Sequence, residues 1–200
     1  MAAQTHLIDL PLFPLGTVLY PGGQLPLRIF EPRYLDMVRE CARTGSPFGV
    51  CLILQGHEVG EPAMPAAVGT LARITDFHNR EDGLLGILAE GGQRFRVART
   101  RVRSDGLVRG EVDLWADESA HMVPVEFALL QSILERLIET MAPHWRSAPR
   151  HLYDDASWLG FRLAELLPLH DDERQRMLEL TDPVRRLGEL RDILPRFQKA

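Results

Sequence analysis

Glu31-Pro32-Arg33-Tyr34 sets a carboxylate, a guanidinium and a phenol within four residues. Such a group can bind an anion through Arg33. It can also be structural, with Glu31 capping a helix and Arg33 paired to a carboxylate elsewhere, Glu58 being the candidate. Local ion pairs of this kind are common, which favours the second reading. Gly91-Gly92-Gln93-Arg94 can form a backbone nest for an anion, or a simple turn between strands. Arg94 and Arg96, with Arg99, Arg101 and Arg103, make a basic strand face. Arg33, Arg94 and Arg96 are therefore the candidate protein-binding or anion-binding residues.

Other chemistries find little support. The seven histidines show no metal-ligand spacing, and His144, His151, Asp154 and Asp155 make at most a weak cluster in a connector. Ser46, Ser104, Ser119 and Ser157 lack the glycine frame of a nucleophile elbow. Asp171-Asp172 is adjacent and placed at a helix start, unlike a spaced acid–base pair. Lys199 is the single lysine. A phosphate-loop lysine, a serine–lysine dyad and a Schiff base within the folded body are thereby excluded. Cys41 and Cys51 have neither redox nor zinc spacing and read as reduced, buried thiols. No catalytic residue, cofactor or metal is expected.

At 200 residues, 45% apolar and 26% charged, the chain suits one large domain or two small ones. The net charge of −5 weighs against a binder that works by neutralising phosphates. No apolar run is long enough for a membrane span, and no basic flank precedes an apolar stretch at the N-terminus. A cytoplasmic protein is the expectation.

Residues 9–38 carry five prolines, Pro11, Pro14, Pro21, Pro26 and Pro32. Neither a helix interior nor a central strand should hold them, so short extended pieces and turns are predicted. Pro32 then opens a helix in which Tyr34, Met37, Val38 and Cys41 share a face. Strands follow at Phe48–Leu54, Ala67–Phe77, Leu84–Glu90, Arg94–Val102 and Val108–Trp115. The predicted breaks are an Asp82-Gly83 turn, Gly91-Gly92 and Ser104-Asp105-Gly106. Strands at this spacing suggest a closed or nearly closed barrel. From about residue 119 the period becomes helical. Phe127, Leu130, Leu134, Leu137, Ile138 and Met141 form one stripe. Asp154 or Asp155 caps a second helix, acids at 171–173 start a third, and Asp182-Pro183 starts the last. The predicted division is 1–118 for the barrel and 119–200 for the helices.

The order Leu10-Pro11-Leu12-Phe13-Pro14, Val18 to Gly22, Leu25-Pro26-Leu27 and Ile29 to Tyr34 resembles the N-terminal signature of the Lon protease substrate-binding domain family. Val68 to Ile74, Gly92 to Val97, Leu166 to Leu169 and Arg174 to Glu179 resemble its later motifs. The resemblance implies an α+β fold: a PUA-like pseudo-β-barrel followed by a helical bundle. It implies a protein-binding module without the ATPase and protease parts of a full Lon. Its partners would be unfolded or partner proteins, with a separate protease among them, and neither membrane nor nucleic acid. Such a module would engage exposed apolar segments, and the junction of barrel and helices is the expected place. The alternative is RNA or nucleotide-ligand binding through the barrel, an analogy of fold supported only by the arginine strand.

Overall fold

Among the described residues strands come first, apart from one early helix, and helices follow, as the change of period near residue 119 predicts. The structure is a computed structural model and describes residues 5–79 and 84–197. The expected Asp82-Gly83 turn and Lys199 lie outside those residues. The chain divides into two compact units, Met1–Asp117 and Glu118–Ala200.

The first unit holds β1 (His6–Leu15), β2 (Gln24–Ile29), α1 (Pro32–Thr44), β3 (Phe48–Gln55), β4 (Met64–Asn79), β5 (Leu85–Val102) and β6 (Val108–Leu114). The strand order is β2-β5-β4-β3-β1-β6, and β6 also pairs with β5. Five strands thus close a ring, and β2 hangs from the first half of β5, with no further strand paired to it among the described residues. β5 is long enough to serve both. Its residues 85–90 pair with β2, and residues 95–102 pair with β6.

Two expectations need correcting here. Gly91-Gly92 does not break the chain into two strands, because β5 runs through it. A Cβ on Gly91 would lie 2.2 Å from the Tyr20 carbonyl oxygen, and Gly91 exchanges backbone bonds with Gly22 and Gly23 at 2.7 and 2.9 Å. The glycine permits a close backbone approach within a strand. Prolines also enter a strand with neighbours on both sides. β1 carries Pro11 and Pro14, yet residues 6–11 pair with β6 and residues 12–15 with β3. Each half behaves as an edge, where a missing N–H is tolerated.

β1 feeds two cores. Leu10 and Leu12 join Phe95, Leu71, Val108 and Val112 inside the ring. Phe13 and Leu15 pack with Tyr34, Met37, Val38 and Cys41 of α1, and with Phe48, Val50 and Ile87. Phe95 is fully buried and fills the space between two glycines. A Cβ at Gly49 or at Gly69 would stand 2.7 Å from its ring. α1 has Pro32 in its first turn and ends at Gly45, whose φ of 68° suits the left-handed C-terminal position.

The second unit holds α2 (Ala128–Met141), α3 (Arg150–Tyr153), α4 (Ala156–Leu166), α5 (Asp171–Glu179) and α6 (Pro183–Ile193). Asp155 caps α4 by accepting from Trp158 N at 2.8 Å, and Asp182 caps α6 by accepting from Val184 N and Arg185 N. Leu130, Leu134 and Ile138 of the expected stripe are buried, whereas Met141 is 62% exposed. At the centre lies Arg186, with no exposed surface. It donates to Met177 O at 3.0 Å and Leu180 O at 2.5 Å. Its Nη1 donates to Glu118 Oε2 at 3.0 Å and its Nη2 to Glu118 Oε1. Its guanidinium lies 3.8 Å from the centre of the Phe161 ring.

Three outcomes follow in urea denaturation. Gly69→Ala places a methyl 2.4 Å from Val50 O and should cost about 1–3 kcal/mol by overpacking; an unchanged midpoint would show that the ring is not filled. Arg186→Met removes the cation from the buried Glu118 carboxylate, which keeps the bond from Ser157 Oγ, and should cost about 3–5 kcal/mol, most of which a second change, Glu118→Leu, should restore. Arg196 bonds to Glu173 at 2.7 and 2.8 Å and, against slight burial, holds that carboxyl down at about 2 from the usual 4.5. A depressed carboxyl stabilises the folded state above 4.5 and loses that contribution as pH falls toward 2. Wild type should therefore lose stability relative to Glu173→Gln over that window; parallel acid limbs would contradict it.

Candidate functional site

Glu31 occupies the N-terminal cap position of α1 but makes no side-chain cap bond. Its Oε2 lies 2.9 Å from Arg33 Nη2 instead. Arg33 is 6% exposed. Its Nη1 donates to Gly106 O at 3.1 Å, across 73 residues, and its guanidinium lies 4.7 Å from the Tyr34 ring centre. Tyr34 stacks on Phe13 at 4.0 Å. Of the two structural expectations, pairing holds but its partner differs. The carboxylate is Glu31, and Glu58 is used otherwise, accepting from Gly16 N at 2.5 Å. Arg33 therefore straps the start of α1 to the turn between β5 and β6. Gly106 closes that turn at a φ of 84°, and a Cβ there would come within 3.3 Å of Arg33 Nη1.

Glu31 and Tyr34, which flank Arg33, border a cleft of about 290 Å³, which lies within the first unit. Phe13 and Leu15 of β1, residues 25–30 from β2 onward, Tyr34 of α1, and Glu58 and Val59 of the 56–63 loop line it, with Thr17 and Glu31. In β2, Leu25, Leu27 and Ile29 share one face by the two-residue period of a strand. Phe30 and Val59 are 47% and 54% exposed. Burial pushes the Tyr34 phenol up; Arg33 pulls against it, and Glu31 and Glu58 push it further. Phe13, Leu25, Pro26, Leu27 and residues 29–31 of the lining, with Tyr34, belong to the N-terminal signature. Sequence reading took them as determinants of chain path and missed the cleft. Val59 lies in the loop within Glu58-Val59-Gly60, a stretch that resembles a motif of the same family but gave no sign of a cleft.

The arginine strand is assembled differently from expectation. Arg94 is 4% exposed, with its guanidinium 5.0 Å from the Trp115 ring centre. Arg96 is exposed and sits opposite Asp113. The register between β5 and β6 shifts between Val97 and Arg99, so Arg99 then faces Glu111 and Arg101 faces Arg109. The like charges Arg101 and Arg109 share Asp9, at 2.5 and 2.8 Å. Asp9 reaches them from an irregularity in β1, at a φ of 70°, a conformation aspartate tolerates. Burial raises its carboxyl, but the bonds from Arg109 and Arg101 outweigh that and leave it below the usual range. Arg33, Arg94 and Arg96 are thus not gathered in one site.

Neither the glycine pair nor the histidine connector supplies a ligand set. Gly91 N donates to Gly23 O, so it is committed to the backbone. Asp155 is a cap, and Asp154 accepts from Gln131 at 3.1 Å. Among the described residues no group of three or more His, Cys, Asp or Glu side chains could hold a metal. Burial pushes the Cys41 thiol up, and the Cys51 thiol up to about 12. Among the described residues no helix is long and apolar enough to cross a membrane.

Comparison with known proteins agrees with the fold. A Lon N-terminal domain protein from Xanthomonas campestris is 48% identical with a TM-score of 0.77, over 92% of this chain and 97% of that one. The N-terminal domain of the Mycobacterium avium complex Lon protease shares the fold at 17% identity, with a TM-score of 0.62 over 92% and 96%. Lon protease 2 of Myxococcus xanthus is 28% identical over 197 residues, which is 94% of this chain and 23% of that protein. Zebrafish (Danio rerio) cereblon is 31% identical over 110 residues, 53% of this chain and 25% of that protein. The chain thus spans about a quarter of the length of these curated relatives. The family model of the ATP-dependent protease La (LON) substrate-binding domain matches residues 9–196, and the chain belongs to that family.

Proposed function

We propose that this chain is a non-catalytic, cytoplasmic protein-binding module that engages exposed apolar segments of other chains through the cleft of its first unit. Family membership supports the coarse reading, a domain that binds protein substrates. The cleft carries the finer one. It is concave and lined mainly by apolar side chains, and Phe30 and Val59 stay exposed at it. Large apolar side chains half open to solvent beside a cleft are what a binder of apolar segments needs. The raised thiols argue against Cys41 and Cys51 as nucleophiles, since the thiolate is the reactive form. A separate protease as one partner extends the reading from the relatives' names.

The basic strand gives the RNA alternative no comparable support. Arg94 is buried against Trp115, and carboxylates face or bind Arg96, Arg99, Arg101 and Arg109.

A titration with a labelled, permanently unfolded protein tests the proposal. Saturable binding is expected. Phe30→Ser should weaken it about tenfold, as for a central apolar contact, while moving the thermal midpoint by no more than about 2 °C because the residue is half exposed. Absent binding, or affinity untouched by Phe30→Ser, would contradict a role for the cleft.

A further inference from the structure

We propose that the cleft selects apolar segments bearing a lysine or arginine beside the apolar side chain, with Glu58 pairing that cation. This rests on the cleft reading above and names the class of segment it would take. Glu58 stands on the 56–63 loop between Gly56 and Gly60, both at positive φ, 97° and 96°. The bond from Gly16 N to Glu58 Oε1 holds the carboxylate against the wall of the cleft. That bond uses one of about four acceptor positions on a carboxylate. Among the described residues Glu58 has no ion-pair partner.

The neighbouring charges leave that position open to a cation. Arg33 is buried and bound to Glu31 and Gly106 O. Arg28 also borders the cleft, but strand alternation puts its side chain on the opposite face of β2 from Leu25, Leu27 and Ile29, and it has an interaction of its own. The Tyr34 phenol feels both Glu31 and Glu58, so both carboxylates bear on the apolar floor. An ammonium arriving beside an apolar side chain would meet a carboxylate fixed by the backbone, with little further ordering needed.

Capped peptides with a common Leu-Phe-Leu centre, followed by Lys, Gln or Glu, provide the test by fluorescence anisotropy on the whole chain. The Lys peptide should bind about threefold to fivefold tighter than the Gln peptide, the range of a partly exposed ion pair. The Glu peptide should bind most weakly, and the differences should shrink as salt rises. Glu58→Gln keeps an oxygen for Gly16 N and should bring the Lys and Gln peptides to equal affinity. Glu58→Lys should favour the Glu peptide. Equal affinities in the wild type, or a preference for the Glu peptide, would overturn the charge selection while leaving the cleft reading intact. Failure of every peptide to bind would overturn both.

Discussion

The first unit depends on one strand being shared. β5 pairs with β2 along residues 85–90, with β4 along residues 85–96, and with β6 along residues 95–102. Without that sharing, either the ring stays open or β2 has no support, and the cleft lined by β2 disappears. Two close approaches make the sharing possible. Tyr20 O reaches Gly91 where no side chain could stand, and the Phe95 ring sits between Gly49 and Gly69. Closing the ring removes most strand edges. The remaining edge, β2, carries Pro26 and the exposed Arg28, residues that discourage indiscriminate strand pairing. It leaves room for a cleft rather than a sheet edge to act as the contact.

Arginine does much of the long-range joining. Arg33 reaches Gly106 O, Arg109 reaches Asp9 O across 100 residues, and Arg186 reaches Met177 O and Leu180 O. Each also holds a carboxylate. A planar fork with five donors can serve a carbonyl and a carboxylate at once, which a lysine ammonium on a flexible stem does less well. The near absence of lysine, visible in the sequence, therefore has a structural counterpart. The guanidinium groups of Arg33, Arg109 and Arg186 lie buried where they bind, and the strand that looked like a basic face has Asp9, Glu111 and Asp113 bound to it or opposite it.

Local rules were the legible part. Pro32 and Gly45 bound α1, Asp155 and Asp182 cap their helices, and the apolar periods mark β3, β6, α2 and α6. What escaped was contingent on distant partners. Gly91-Gly92 has the composition of a turn, and only the approach of Tyr20 makes it part of a strand. Pro11 and Pro14 argued against a strand with two neighbours, and only the split of β1 between β6 and β3 admits them. Glu31 was expected to cap and Glu58 to pair. Glu31 was captured by Arg33, two residues on, and Glu58 by the backbone of Gly16, 42 residues away. The cleft was hidden for the same reason, since it forms only when β1, β2, α1 and the 56–63 loop converge.

The proposed capture of protein by the first unit rests on family membership and on a half-exposed apolar cleft. Amide hydrogen exchange on the whole chain, with and without a saturating unfolded protein, locates the contact most directly. Added protection confined to residues 25–31 and 56–60 is the predicted result. Protection along β5 and β6 at the arginine strand, with residues 25–31 and 56–60 unchanged, would contradict it.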